Sequence, residues 1–199
     1  MRYIIMANGK GSRWDSRADF PKHLAIINGE TLLERIVHQL LALEETDIVI
    51  TSSNPAYSVH GALRHTPENN TLEIDRFTTE LISDDCCFLY GDTYYSDEAM
   101  STIVGLPVDE VMFVGSHKSI IAVIVRKQEP FLRAVSKVRE AIRCAELADG
   151  KGWHVYSAYV GQPLTSREIS KDFLMVNGTQ NLNTVEDYHE LLRAFSLNA

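Results

Sequence analysis

The 199-residue chain lacks most of the features that would settle its chemistry at a glance. It has only three cysteines, Cys86, Cys87 and Cys144, with no C-x-x-C spacing. That excludes a cysteine-bound metal and leaves buried free thiols in a reducing cytoplasm as the expectation. No apolar run approaches the roughly 18 residues of a membrane helix, so no membrane partner is expected. The apolar stretch at residues 3–7 is too short for a signal peptide. Basic charge is scarce: 19 Lys and Arg stand against 27 Asp and Glu, a net charge of −8 that argues against nucleic acid as a partner. His60 and His65 show no H-E-x-x-H spacing and have no cysteine companion. There is no G-x-x-x-x-G-K-[ST] loop and no G-x-S-x-G elbow, and Trp14 stands where a G-x-G-x-x-G pattern needs its third glycine. Repeats and low-complexity tracts are missing too. A single cytoplasmic domain over 1–199 is expected, and 45% apolar residues suffice for its core.

The most informative segment present is YIIMANGKGSRWDSRADFPK, residues 3–22. A short apolar run ends in a loop with Gly9 and Gly11, followed by Arg13 and then Pro21-Lys22. Glycine lets main-chain N–H groups approach phosphate oxygens closely, and Arg and Lys neutralise their charge. Residues 1–23 hold Arg2, Lys10, Arg13, Arg17 and Lys22 against only Asp15 and Asp19. This basic patch on an acidic chain suits a small anionic ligand.

Apolar runs alternate with helical patterns, which predicts an α/β sheet. Strands are expected over 2–7, 47–51, 86–90, 110–114, 119–125 and 172–176, with an irregular or edge strand over 153–160. Helices are expected over 32–43, where Thr31 and Glu34 form a capping box, and over 72–83 with Asn70 as N-cap. A long helix is expected from Pro130 to about residue 148, and a last one after Thr184, capped with Asp187. Asp97 and Glu98 suit a helix start. In parallel sheets ligands sit beyond the carboxyl ends of the strands. The glycine loop, Gly91-Asp92 and Asn181 all follow strands and would converge there if those strands are neighbours.

The segments Ala7-Asn8-Gly9-Lys10-Gly11-Ser12-Arg13 and Pro21-Lys22-His23-Leu24 resemble the two-part signature A-[AG]-G-x-G-x-R and P-K-x-L of nucleotidyltransferases with a GT-A-like fold. Asn8 departs from the usual small residue, and Trp14 from the usual Met or Leu. Residues 176–187 resemble the family's closing motif, N-x-N-T-x-E-D. The resemblance implies a three-layer α/β/α fold with a mostly parallel mixed sheet. It also implies nucleotide-binding roles for Ala7, Asn8, Gly9, Gly11, Ser12 and Arg13. Lys22, Arg13 and Asp92 become the catalytic residues, with the lysine and arginine on phosphates. Mg²⁺ is the implied cofactor, held by Asp92 and, at a position where many members have aspartate, by Asn181. Asn183 is the weaker candidate, and Asp187 is assigned to capping. Apart from the resemblance, an aspartate closing a buried strand needs a partner, and a divalent ion is one. The Asn69-Asn70 segment is similar to one that contacts nucleotide or substrate in phosphocholine cytidylyltransferase-like members, which adds Asn70 to the nucleotide site.

The resemblance implies Mg²⁺-dependent transfer of a nucleotidyl group from an NTP to a phosphorylated small molecule, with release of pyrophosphate. A sugar phosphate or phospho-alcohol is the expected acceptor, CTP is favoured by the Asn69-Asn70 segment, and surface polysaccharides are the setting. The compact length is also similar to that of molybdenum-cofactor guanylyltransferase. Self-association into a homo-oligomer is compatible with the sequence. Two alternatives stand beside this reading. A glycosyltransferase of the same fold would carry a D-x-D motif, and Asp92-Thr93-Tyr94 lacks the second carboxylate. A catalytically silent nucleotide-binding module is the other, on the strength of Asn8 and Asn181.

Overall fold

The structure, a computed structural model, describes residues 1–9, 11, 13, 14 and 20–196. In chain order the elements are β1 (Arg2–Met6), β2 (Ile26–Ile27), β3 (Glu30–Thr31), α1 (Leu32–Ala42), β4 (Ile48–Thr51), β5 (Leu63–His65), β6 (Cys86–Tyr90) and β7 (Thr93–Tyr95). They continue with α2 (Asp97–Val104), β8 (Val111–Gly115), β9 (Ile120–Val125), α3 (Gln128–Arg143), α4 (Gly152–Val160), β10 (Phe173–Met175), β11 (Thr179–Asn181) and α5 (Val185–Ser196). Seven strands form one sheet in the order β10-β8-β9-β6-β1-β4-β5. β9 is antiparallel to both β6 and β8, and every other pairing is parallel.

Strand alternation divides the core. Tyr3 and Ile5 of β1 face one side with Cys87 and Leu89 of β6, and α1 covers them with Leu33, Ile36, Val37 and Leu40. Ile4, Met6, Cys86 and Phe88 face the other side, under Phe131, Val135 and Val138 of α3 and Trp153 and Tyr156 of α4. The result is the expected α/β/α sandwich. Each fully buried Leu, Ile or Phe contributes about 1.5–3 kcal/mol. α1 begins at the anticipated capping box, with Glu34 N donating to Thr31 Oγ1 at 3.2 Å and Thr31 N donating to Glu34 Oε2 at 2.7 Å. The turn before β6 starts α3, since Asp84 Oδ1 accepts from Gln128 N at 2.8 Å.

Three local expectations fail. Residues 72–83 form two 3₁₀ turns, Glu73–Arg76 and Thr79–Leu81, instead of a helix capped by Asn70. The Asp75 carboxylate accepts from Thr71 N and Leu72 N and pairs with Arg139 of α3 at 2.6 Å. Phe77 meanwhile wedges edge-on between Phe88 and Phe131, with centroids 5.4 and 5.3 Å away. Tertiary anchoring overrides helical propensity there. Residues 153–160 belong to α4, not an edge strand: Trp153 and Tyr156 share its buried face, and Gly161 at φ 77° closes its end. The long helix stops at Arg143, short of residue 148, because Ala145 turns to φ 58° and the N–H groups of residues 146 and 147 fold back onto Ala141 O. Cys86 and Cys87 are buried free thiols as expected, but Cys144 is exposed. No helix among the described residues is long and apolar enough to cross a membrane.

Candidate active site

β1 and β6 are parallel neighbours with Met6 opposite Tyr90, so the residues following them leave the sheet at the same edge. Gly91 N donates to Met6 O at 3.1 Å, and a Cβ on Gly91 would stand 2.9 Å from that oxygen. Only glycine lets the chain turn this close to β1. Tyr95 fixes the turn from beneath: its buried hydroxyl donates to Ile121 O at 2.7 Å and accepts from Tyr90 N at 3.1 Å. β11 pairs with β7 with Asn181 opposite Thr93, and Leu182 N donates to Asp92 O at 2.7 Å. The three segments singled out in the sequence therefore meet.

At their junction Lys22 Nζ donates to Asp92 Oδ2 in an ion pair. Lys22 is 7% exposed and Asp92 8%. Burial pushes the Asp92 carboxyl up, but the charge and hydrogen bond of Lys22, together with the neighbouring His23 and Arg76, hold it below the usual carboxylate value. Lys22 thus supplies the countercharge that the burial of Asp92 demands. His23 lies alongside, its ring 5.1 Å from that of Tyr57. Burial drives its pKa down to about 3 against the raising field of Asp92, so the imidazole is neutral at pH 7.

Around the pair opens a cleft of two connected lobes. A glycine lobe of about 350 Å³ is lined by Asn8, Gly9, Gly11, Lys22, Asn70 and Leu72 among others. A basic lobe of about 490 Å³ is lined by Asp92, Asn181, Tyr90, Lys118, Lys151 and Arg167 among others. Arg13, Glu73, Arg76 and Asn183 line both. Lys22 on one side and Asp92 on the other straddle the seam.

Most of the residues predicted from sequence come together here. Gly11 takes φ 61°, which a side chain would strain. Arg13 is exposed and donates to Asn183 Oδ1 at 2.7 Å. Asn8 is buried and held weakly, its Nδ2 3.5 Å from Asp75 O and its Oδ1 3.5 Å from Thr51 Oγ1. Asn181 Oδ1 accepts from Thr93 Oγ1 at 2.8 Å. Ala7 is not on the cleft wall: it packs in the core, and its N–H donates to Thr51 O at 3.2 Å. Ser12 lies outside the described residues. Asp187 caps α5, with Oδ2 accepting from Asn183 N and Thr184 N.

Four cations of the cleft were not foreseen: Arg76, Lys118, Lys151 and Arg167. Arg76 covers the glycine loop so closely that a Cβ on Gly9 would meet its guanidinium at 3.2 Å. The helix expected at 72–83 hid it, and the other three, in a turn, at a helix start and in a loop, have no motif around them.

No family model matches the sequence, and no curated protein matches it. Solved structures do resemble the fold. The CTP:phosphocholine cytidylyltransferase LicC from Streptococcus pneumoniae superposes with a TM-score of 0.61 at 15% identity, covering 98% of this chain and 98% of that one. A protein assigned as a glucose-1-phosphate thymidylyltransferase from Bacillus anthracis gives 0.67 at 16% identity, over 99% and 94%. HddC from Yersinia pseudotuberculosis gives 0.56 at 14%, over 98% and 99%. The likeness spans each chain almost end to end, and what it establishes is the architecture: this protein has the nucleotidyltransferase fold.

Proposed function

We propose that the protein is a Mg²⁺-dependent nucleotidyltransferase acting on an NTP and a phosphorylated small molecule. The observation that carries the reading is the buried Lys22–Asp92 pair at the seam of two lobes that share Arg13 and Arg76. The NTP occupies the glycine lobe, with its triphosphate along Gly9 and Gly11 and its charge met by Arg13, Arg76 and Lys22. The acceptor phosphate enters from the basic lobe. One of its oxygens attacks the α-phosphorus in line, an O–P bond forms, the bond to the β-phosphate oxygen breaks, and pyrophosphate leaves with that electron pair. The attacking phosphate is already ionised, so positioning and charge neutralisation matter more than an acid or base.

Asp92 and Asn181 are the residues fit to hold Mg²⁺. Both line the basic lobe, one with a carboxylate and one with an amide oxygen. Among the described residues no group of three or more His, Cys, Asp and Glu is assembled for a metal. A site with so few protein donors suits Mg²⁺, which keeps waters and takes phosphate oxygens. When bound, the ion would offset charge on the phosphates and the leaving pyrophosphate. Lys22 would then give up Asp92 for a phosphate oxygen. Asn70 on the wall of the glycine lobe, and the CTP named for LicC, make CTP the first nucleotide to try.

Thermal melting with CTP, GTP, UTP, ATP and dTTP, each with Mg²⁺, should raise the melting temperature most for the true nucleotide. That nucleotide should release pyrophosphate only when a phosphorylated acceptor is added. A nucleotide-dependent shift without pyrophosphate from any pairing would leave a silent binding module and overturn the reading.

A further inference from the structure

We infer that the acceptor carries a second anionic group besides its phosphate, a carboxylate or another phosphate, and that a quaternary ammonium group is rejected. The inference rests on the basic lobe being the acceptor side of the proposed transferase. Among the described residues five cationic side chains line that lobe, Arg13, Arg76, Lys118, Lys151 and Arg167, against two carboxylates, Glu73 and Asp92. Both carboxylates are already engaged, Asp92 by Lys22 and Glu73 by Arg76 at 3.7 Å. Arg13 and Arg76 also line the glycine lobe, where the triphosphate draws on them. Lys118, Lys151 and Arg167 line the basic lobe alone, and none of them pairs with a carboxylate among the described residues.

Exposed lysines on a typical surface need no ligand to explain them, but these three do not fit that account. They come from separate parts of the chain: the turn between β8 and β9, the residue before α4, and the loop between α4 and β10. Among the described residues no carboxylate stands within ion-pair distance of any of the three, and Glu73 feels the Lys151 charge only from further off. Lys151 is also the N-cap of α4, where the helix dipole opposes a positive charge and Ser, Thr, Asp or Asn is preferred. A residue that breaks a local rule without structural return marks a functional demand. A phosphate monoester brings about two negative charges at neutral pH. Three cations without an ion-pair partner among the described residues, beyond those shared with the nucleotide, exceed what it needs.

The aromatic residues present do not make a cage for a cation. Trp153 is 6% exposed and stacks face to face on Phe173, with centroids 5.4 Å apart and planes 14° apart, which leaves Tyr90 as the more accessible of the two rings that line the lobe among the described residues. One ring among five cations cannot favour a quaternary ammonium.

Three phosphate monoesters of similar size separate the cases: 3-phosphoglycerate, sn-glycerol 3-phosphate and phosphocholine. In calorimetric titrations of the full chain at matched ionic strength, 3-phosphoglycerate should bind at least about tenfold more tightly than glycerol 3-phosphate, with phosphocholine weakest. Lys118→Ala and Arg167→Ala should each shrink the carboxylate preference severalfold, Lys118→Arg should keep it, and Lys137→Ala on the far surface of α3 should leave it unchanged. Equal affinity for the three probes, tightest binding of phosphocholine, or a preference indifferent to Lys118 and Arg167 would overturn the inference. A clear carboxylate preference without pyrophosphate from any NTP would instead overturn transferase activity and leave the charge selectivity standing.

Discussion

On the strand side of the cleft, Lys22 and Asp92 are nearly inaccessible and bonded to each other. On the opposite side, Lys118, Lys151 and Arg167 are exposed and have no carboxylate partner among the described residues. The first arrangement is held by strand register: Gly91 against Met6, Tyr95 under the turn, and β11 against β7. The second hangs from turns and a helix end that could carry other side chains without repacking the core. Under the proposed function, the contrast assigns chemistry to one side and selectivity to the other. Reacting groups need preorganisation and therefore burial, whereas groups that choose among acceptors need only their charge in place.

The sharpest way to break this contrast is to remove one member of the buried pair. Lys22→Ala leaves a carboxylate, and Asp92→Ala an ammonium, stranded in low dielectric. Each should destabilise the fold by about 3–5 kcal/mol in urea unfolding. Each should also cut pyrophosphate release by a hundredfold or more, since one preorganised charge contact is worth a few kcal/mol. The double variant Lys22→Met/Asp92→Leu removes both charges and should recover most of the stability but none of the activity. Single variants within about 0.5 kcal/mol of the parent would show that the pair is not effectively buried, and the contrast would collapse.

The strand side was legible in the sequence because its residues are tied to strand ends. An apolar run followed by Gly9 and Gly11, and another followed by Gly91-Asp92, mark where a parallel sheet delivers its loops. The capping boxes at Thr31 and Thr184 were legible because they are local. Arg76 was not, because 72–83 carries helical propensity that the Asp75–Arg139 contact and the wedge of Phe77 override. α4 was misread because Trp, Val and Tyr resemble strand composition, while its period places Trp153 and Tyr156 on one face. Lys118 and Arg167 carry no signal along the chain, since only the fold brings their turns together.

His23 gives a smaller effect that belongs to the strand side alone. Its imidazole stays neutral in the folded protein down to about pH 3, whereas an ordinary histidine protonates near 6.5. Between those values the unfolded chain binds a proton that the folded one does not, so stability falls as pH falls. The slope is about 1.4 kcal/mol per pH unit, or about 2 kcal/mol from pH 6.5 to 5. Asp92 adds nothing in that window. Its folded value is depressed, so its contribution is present above the unfolded pKa of about 3.9 and is lost only as pH falls below that. Unfolding curves at pH 7 and pH 5 should show the loss in the parent and a reduced one in His23→Phe. Equal losses in the two proteins would mean that His23 takes up its proton in the folded state.

The smallest effect has the opposite sign. Lys151 places a positive charge at the N-cap of α4, and its ammonium, a donor only, can accept no bond from the free N–H groups of the first turn, so the side chain contributes no capping bond. Lys151→Ser supplies a capping oxygen and removes the clash with the helix dipole, and should stabilise the fold by about 0.5–1 kcal/mol. Lys118→Ala and Arg167→Ala, in the exposed turns, should stay within about 0.5 kcal/mol of the parent. A gain at Lys151 with near-neutral changes at Lys118 and Arg167 is what a side whose cations give the fold nothing in return predicts. A loss of more than 1 kcal/mol in Lys151→Ser would show the lysine to be structural, and the two sides of the cleft would no longer differ in kind.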